Sequence, residues 1–178
     1  MFVDRDGTLN PDLHYLDEPS RLELNRGVGL ALRLAHDHGY LVVCVTNQSG
    51  IDRGFYTVED VERIHLRLNE LLAPHRARVD AFYYFPHAPE RQCACRKPGT
   101  GLFEHAQRDW GIDFATSAVV GDRALDVQAG QRLGLLTAVV RPRGHERQID
   151  EELAAAAASP DITADSFPGA VTRVLGRG

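Results

Sequence analysis

The chain has 178 residues, 43% of them apolar and 25% charged, the composition of one ordinary globular domain that can bury its own core. A net charge of −5 excludes a general pull towards nucleic acid or an anionic membrane, so an anionic ligand would need local cations, helix N-termini or metal. No apolar run approaches the ~18 residues of a membrane span, no signal peptide precedes Asp4, and the three cysteines do not form a secreted disulfide framework, so a reducing cytoplasm is expected.

Met1-Phe2-Val3 makes a minimal first strand that delivers Asp4-Arg5-Asp6 and breaks at Gly7. Side chains two apart on an extended segment point the same way. Two such carboxylates repel unless a proton or cation lies between them, and Mg²⁺ suits a few oxygens with open positions. One carboxylate can then attack as nucleophile while the other moves protons; taken alone, the pair also reads as a solvated acidic turn. Residues 11–25 read as a loop beside it. Val28, Ala31, Leu32 and Ala35 recur at helical spacing, with Gly39 placed as a left-handed C-cap.

Residues 41–45 form a continuous run of mostly β-branched residues, expected for a strand buried on both faces, and end at Thr46-Asn47-Gln48-Ser49-Gly50. Thr57 and Asp60 form a capping box for a helix that uses Val61, Ile64, Leu68 and Leu71 and stops at Pro74. A third strand is predicted over 79–85, an irregular stretch over 86–98, and a helix over 101–110. Residues 118–120 form a strand entering Gly121-Asp122-Arg123, followed by a helix over 124–133 and a fifth strand over 135–140. The alanine-rich stretch 147–158 is predicted helical, and Ser166-Phe167-Pro168 opens a last helix. Alternating strands and helices imply an α/β fold: an open, mostly parallel sheet with helices on both faces. Residues 1–178 read as a single domain.

In such a sheet the polar clusters ending three strands fall on one edge, the edge that binds ligands. They are Asp4-Arg5-Asp6, the Thr46–Gly50 cluster, and Gly121-Asp122-Arg123 with Asp126. Arg96-Lys97-Pro98 precedes a helix nearby in sequence. Carboxylates flanking a metal, a hydroxyl with backbone amides, and a lysine are what phosphoryl transfer requires.

DxDGT, a strand ending in TN, K-P and GDxxxD, in this order, resemble the haloacid dehalogenase (HAD) superfamily of aspartate-nucleophile phosphatases. TNQSGIxRG and the CACRKP run are similar to its D-glycero-D-manno-heptose-1,7-bisphosphate 7-phosphatase family, with histidinol-phosphate phosphatase as the near relative. Arg123, where the heptose branch is expected to carry lysine, leans towards that relative.

The resemblance implies Asp4 as nucleophile and Asp6 as proton donor and then base. It implies Mg²⁺ held by Asp4, the Asp6 carbonyl and Asp122. Thr46 and the amides of Asn47, Gln48 and Ser49 would bind phosphoryl oxygens, and Lys97 would neutralise charge. Arg53, Arg96 and Arg123 are candidates for a second phosphate or the sugar, since an arginine fork matches phosphate; each could equally be solvated surface charge. His14 lies in the loop expected to roof the site. Asp126 is expected to orient Lys97 or a metal-bound water.

Only 39 residues separate Asp6 from Thr46 and 50 separate Thr46 from Lys97, too few for a separate cap domain. The site should be open, roofed by loops such as 11–20 and 50–56.

His87, Cys93 and Cys95 suggest part of a structural Zn²⁺ site, which needs four ligands. The related enzymes have C-x-H…C-x-C here, and Phe85 replaces the first cysteine, so zinc is expected to be weak or absent. Cys44 reads as a small core residue. His36, His38, His65, His75, His105 and His145 read as surface.

The expected partner is a small phosphorylated metabolite bound by a monomer, with no nucleic acid and no membrane. Two other classes compete: a phospho-signalling receiver domain, and a regulatory phosphosugar-binding protein without turnover. Receivers place the phosphoacceptor after the third strand, where this chain has Phe85, and the presence of both Asp4 and Asp6 gives no support to lost turnover.

Overall fold

The computed structural model describes residues 1–87 and 96–177. Six parallel strands form one sheet: β1 (Phe2–Val3), β2 (Val43–Asn47), β3 (Ala81–Phe85), β4 (Ala118–Gly121), β5 (Leu136–Val140) and β6 (Ile162–Ala164). Their spatial order is β3-β2-β1-β4-β5-β6. Among the described residues six α-helices connect and flank them: α1 (Val28–Asp37), α2 (Val58–Leu72), α3 (Gly101–Trp110), α4 (Ala124–Leu133), α5 (Glu146–Ala155) and α6 (Phe167–Leu175).

Both faces of the sheet are apolar because alternate residues along each strand serve opposite layers. Val3, Cys44, Val120 and Ala138 pack with Ala31 and Leu32 of α1, Ile64 and Leu68 of α2, and Val171 of α6. Phe2, Val43, Val45 and Val119 pack with Phe103 and Ala106 of α3 and Ala129 of α4. Val139 joins Val127, Ile149 and Leu153 beneath α5. The expected capping box is formed: Asp60 N donates to Thr57 Oγ1, and Thr57 N donates to Asp60 Oδ2.

The chain leaves β1 for β2 and β3 on one side and returns to place β4 on the other. The carboxyl ends of β1 and β4 therefore flank the point where strand order reverses, where open α/β sheets form a crevice. Asp4 N donates to Val120 O at 2.9 Å, tying the two ends together.

Three readings need correction. The alanine-rich helix ends at Ala155 rather than 158, with Ala157 turned to φ 49° ahead of Ser159-Pro160. A proline disfavours helical backbone in the residue before it. The chain then forms β6, a sixth strand that was not expected. It is three residues long, too short for a periodic signal, and Asp161 Oδ2 anchors its start by accepting from Thr137 N and Oγ1. His65, read as surface, is buried on the inner face of α2, its ring stacked on Phe82 at 4.1 Å.

Candidate active site

The β1 end folds as a tight turn in which Leu9 N and Asn10 N donate to Arg5 O, and Gly7 N to Asn10 O. Gly7 has φ +82°, and a Cβ there would fall 2.1 Å from Asp122 Oδ2. Only glycine lets the turn come this close to the β4 carboxylate. Gly121 is constrained in the same way, since a Cβ would meet the Asp126 carboxylate at 2.2 Å.

A cleft of about 160 Å³ opens at this edge, lined by Asp4, Asp6, Thr46, Asn47, Lys97, Asp122 and Asp126, with His14, Arg96 and Arg123 at its sides. At its floor Lys97 Nζ donates to Asp4 Oδ1 (2.5 Å), Asp126 Oδ1 (2.6 Å) and Val45 O (2.7 Å), using all three ammonium protons. Burial lowers the Lys97 pKa, but Asp126 and Asp4 outweigh it, so the net shift is upward and the ammonium stays charged. Asp126 is held in turn by Arg123 N on Oδ2.

Asp4, Asp122 and Asp126 bring carboxylate oxygens within 4.8 Å of one another. Burial raises Asp4 to about 7; Lys97 opposes the shift and Asp126 adds to it. Burial, then the charges of Asp4 and Asp126, push Asp122 well above the usual carboxylate range. Three converging carboxylates, of which Asp4 and Asp126 share one ammonium, leave negative charge in excess, which fits a hard divalent cation. Thr8 Oγ1 donates to Asp122 Oδ1 at 3.2 Å, holding that carboxylate across the crevice.

Asp6 is treated differently. Its carboxylate accepts from Arg5 Nη2 (2.8 Å) and Nε (3.2 Å), Asn10 Nδ2 (3.0 Å) and Gln48 Nε2 (2.9 Å). Burial alone would raise its pKa, but the Arg5 charge and these donors hold it below the ordinary value. The two carboxylates of the turn thus have opposed electrostatics, one beside its lysine among other acids and one clamped by donors.

The remaining candidates separate. Asn47 clamps the Lys97 backbone, its Oδ1 accepting from Lys97 N at 3.2 Å and its Nδ2 donating to Lys97 O at 3.4 Å. Gln48 is turned inward: its Nε2 donates to Thr46 Oγ1 and Asp6, and its Oε1 accepts from Tyr56 OH. That side chain supports the site and does not line the cleft, and the Gln48 backbone amide expected to meet a phosphoryl oxygen donates instead to Phe85 O at 2.8 Å. Ser49 and Arg53 also lie outside the cleft lining, with Arg53 N donating to Ser49 O. His14 projects into solvent at the rim, with 90% of its side chain exposed. Arg123 reaches the cleft while its Nε donates to Glu152.

His87 is exposed and touches the ring of buried Phe85, their centroids 5.1 Å apart. Cys93 and Cys95 lie outside the described residues, and the zinc reading with them. Arg5, Asn10, Thr8 and Tyr56 were given no role from sequence.

The cleft opens beside a second cavity of about 660 Å³, with which it shares Asp12, His14, Asp122 and Arg123. A carboxylate at a switch point, with a lysine at its side and a second carboxylate two residues on, is an arrangement suited to aspartate-based phosphoryl transfer.

Known proteins of similar sequence and fold agree with this class. The HAD-hydrolase-like family profile matches residues 94–170. A probable D-glycero-D-manno-heptose-1,7-bisphosphate 7-phosphatase of Thermoplasma volcanium is 40% identical over 76% of this chain and 93% of that one. The D-glycero-D-manno-heptose-1,7-bisphosphate 7-phosphatase of Chlorobaculum tepidum is 36% identical over 97% of this chain and 92% of its own. The crystal structure of a D,D-heptose 1,7-bisphosphate phosphatase from B. bronchiseptica, complexed with magnesium and phosphate, superposes with a TM-score of 0.87 at 28% identity. It covers 100% of this chain and 98% of that one. The chain is a phosphatase of the HAD superfamily and belongs to the family of D-glycero-D-manno-heptose-1,7-bisphosphate 7-phosphatases.

Proposed function

We propose that this protein hydrolyses the 7-phosphate of D-glycero-D-manno-heptose 1,7-bisphosphate through an aspartyl-phosphate on Asp4, with Mg²⁺ as cofactor. The observation that carries the reading is Asp4 itself: one oxygen is bound to Lys97, and the carboxylate faces a cleft of phosphoryl size at the reversal point of the sheet.

Asp4 attacks phosphorus, and its new P–O bond forms as the P–O bond to the sugar breaks. A proton on Asp6 passes to the departing alkoxide. In the second half, the Asp6 carboxylate takes a proton from water as that water attacks phosphorus and the Asp4–phosphorus bond breaks. Thr46 and the Asn47 amide receive phosphoryl oxygens, and Lys97 neutralises their charge. Asp4, the Asp6 carbonyl and Asp122 would hold the Mg²⁺, which supplies charge neutralisation and polarises the phosphoryl oxygens. Asp126 has Lys97 and Arg123 N on its two oxygens, which supports a positioning role over direct ligation.

The larger adjoining cavity offers room for the sugar, with Arg123 and Arg96 beside the cleft for the second phosphate. We take the protein to act as a single-domain, cytoplasmic monomer. Among the described residues no helix is long and apolar enough to cross a membrane.

Phosphate release from heptose bisphosphate and from histidinol phosphate, measured side by side with Mg²⁺, tests the proposal. Preference for the heptose bisphosphate by kcat/KM is expected. Preference for histidinol phosphate would move the substrate to the related branch. Single phosphorylation without turnover would overturn the hydrolase reading.

A further inference from the structure

The side chain of Arg5 is 1% exposed, and among the described residues its guanidinium hydrogen-bonds to two groups. Nε and Nη2 grip both oxygens of Asp6, while Nη1 lies 3.4 Å from His65 Nε2. A guanidinium has donors and no acceptor, so His65 must accept through Nε2 and carry its proton on Nδ1. Burial, then the Arg5 charge, depress the His65 pKa to about 3, so the ring is a neutral acceptor throughout the working range. It is fixed by stacking on Phe82 of β3, with Tyr84 tilted at 5.6 Å.

A buried arginine–carboxylate pair adds little net stability, because desolvation of both ions offsets their attraction. Its value must therefore be sought in what it holds still. With Asn10 and Gln48, Arg5 fills the four lone-pair sites of the Asp6 carboxylate and fixes its plane, while 24% of that side chain remains open to the cleft. When Asp6 carries a proton, one donor gives up its place, and Arg5 Nε makes the longest of the four contacts.

We propose that Arg5 and His65 are positioning residues for proton transfer: α2 and β3 orient His65, His65 orients Arg5, and Arg5 aims the Asp6 carboxylate at the leaving oxygen. The inference rests on the role given to Asp6 above.

The test uses leaving groups. Departure of p-nitrophenolate needs no proton, whereas a sugar alkoxide does, and kcat/KM reports the step in which the alcohol leaves. Arg5→Met and His65→Leu are compared with the parent on p-nitrophenyl phosphate and on the sugar phosphate hydrolysed best. For Arg5→Met, kcat/KM should fall ~10–10²-fold on the sugar phosphate and no more than about threefold on the aryl ester. His65→Leu should show the same selectivity in weaker form, and His65→Gln, which keeps an acceptor, should recover part of it. Equal losses on both substrates, at an unchanged melting temperature, would reduce Arg5 to a structural role and overturn the proposal. If Arg5→Met does not fold, the His65 pair decides by the same criterion. Asp6→Asn is the control: if it too loses both substrates equally, the role of Asp6 fails. If it is selective while the Arg5 and His65 variants are not, only the present inference fails.

Discussion

Asp4 and Asp6 are both aspartates, two residues apart, yet their surroundings give them different work. Asp4 sits among acids beside a lysine, and Asp6 is held by four donors. Asp4→Asn keeps nearly the same shape but removes the nucleophile, so phosphate release should disappear while the melting temperature is preserved. Near-normal turnover in that variant would sink the aspartyl-phosphate mechanism. Gly7 limits the site in another way. Alanine there would adopt an unfavourable positive φ and place a methyl group against Asp122. Gly7→Ala should destabilise the protein by about 1–2 kcal/mol in urea unfolding, and turnover should fall ~10²-fold because the carboxylate is displaced. Wild-type activity in Gly7→Ala would show that Asp122 has freedom the packing does not suggest.

Helix α2 carries more than its own amphipathic face. Val61, Ile64, Leu68 and Leu72 bury as the helical period requires, and His65 occupies the same buried side. Its folded pKa of about 3 lies below the unfolded value of 6.5. As pH falls below about 6.5, the unfolded chain binds a proton that the folded chain does not. Stability is therefore lost on acidification, by at most about 1.4 kcal/mol per pH unit until about pH 3, and is unaffected above 6.5. Urea unfolding of the parent and His65→Gln between pH 7 and 4 measures this directly. The variant should show the shallower loss, and identical slopes would mean that His65 is accessible to protons in the folded state.

The molecule as a whole is acidic, and the charge at its site is unbalanced in the same direction: three carboxylates converge, two of them on one lysine. Chelation with EDTA should stop turnover, and Mg²⁺ should restore it. Mg²⁺ should also raise the melting temperature, because binding only to the folded state adds stability. Full activity after exhaustive chelation would contradict the charge argument. Zinc is a separate matter. Phe85, at the position where the resemblance expects the first cysteine of a zinc loop, is a buried apolar residue. Purified protein should contain well under one zinc per chain, and Phe85→Cys should raise that content. A full equivalent of tightly held zinc in the parent, found by elemental analysis, would require a fourth ligand from elsewhere in the chain.

Much of this could be read without coordinates. Val43-Cys44-Val45 and Ala118-Val119-Val120 announce buried strands because a two-sided core needs unbroken apolar runs. Polar residues that follow such runs must fall at one edge of a parallel sheet. Asp4, Asp6, Thr46 and Asp122 were therefore legible as one constellation, and the motif spacing pointed to the phosphatase superfamily. The tertiary structure alone decided which polar groups face the cleft and which face inward. Gln48 and Arg5 look like surface residues by type, yet both are spent on holding Asp6, and His65 hides behind a polar name on a buried stripe. The strand β6 was equally hidden, since three residues carry no periodicity and exist as a strand only because β5 offers an edge. Alternation and spacing follow from local backbone geometry, which every residue carries with it. The partner of a buried polar atom depends on which distant element arrives beside it, and that is settled only when the sheet and its helices close around it.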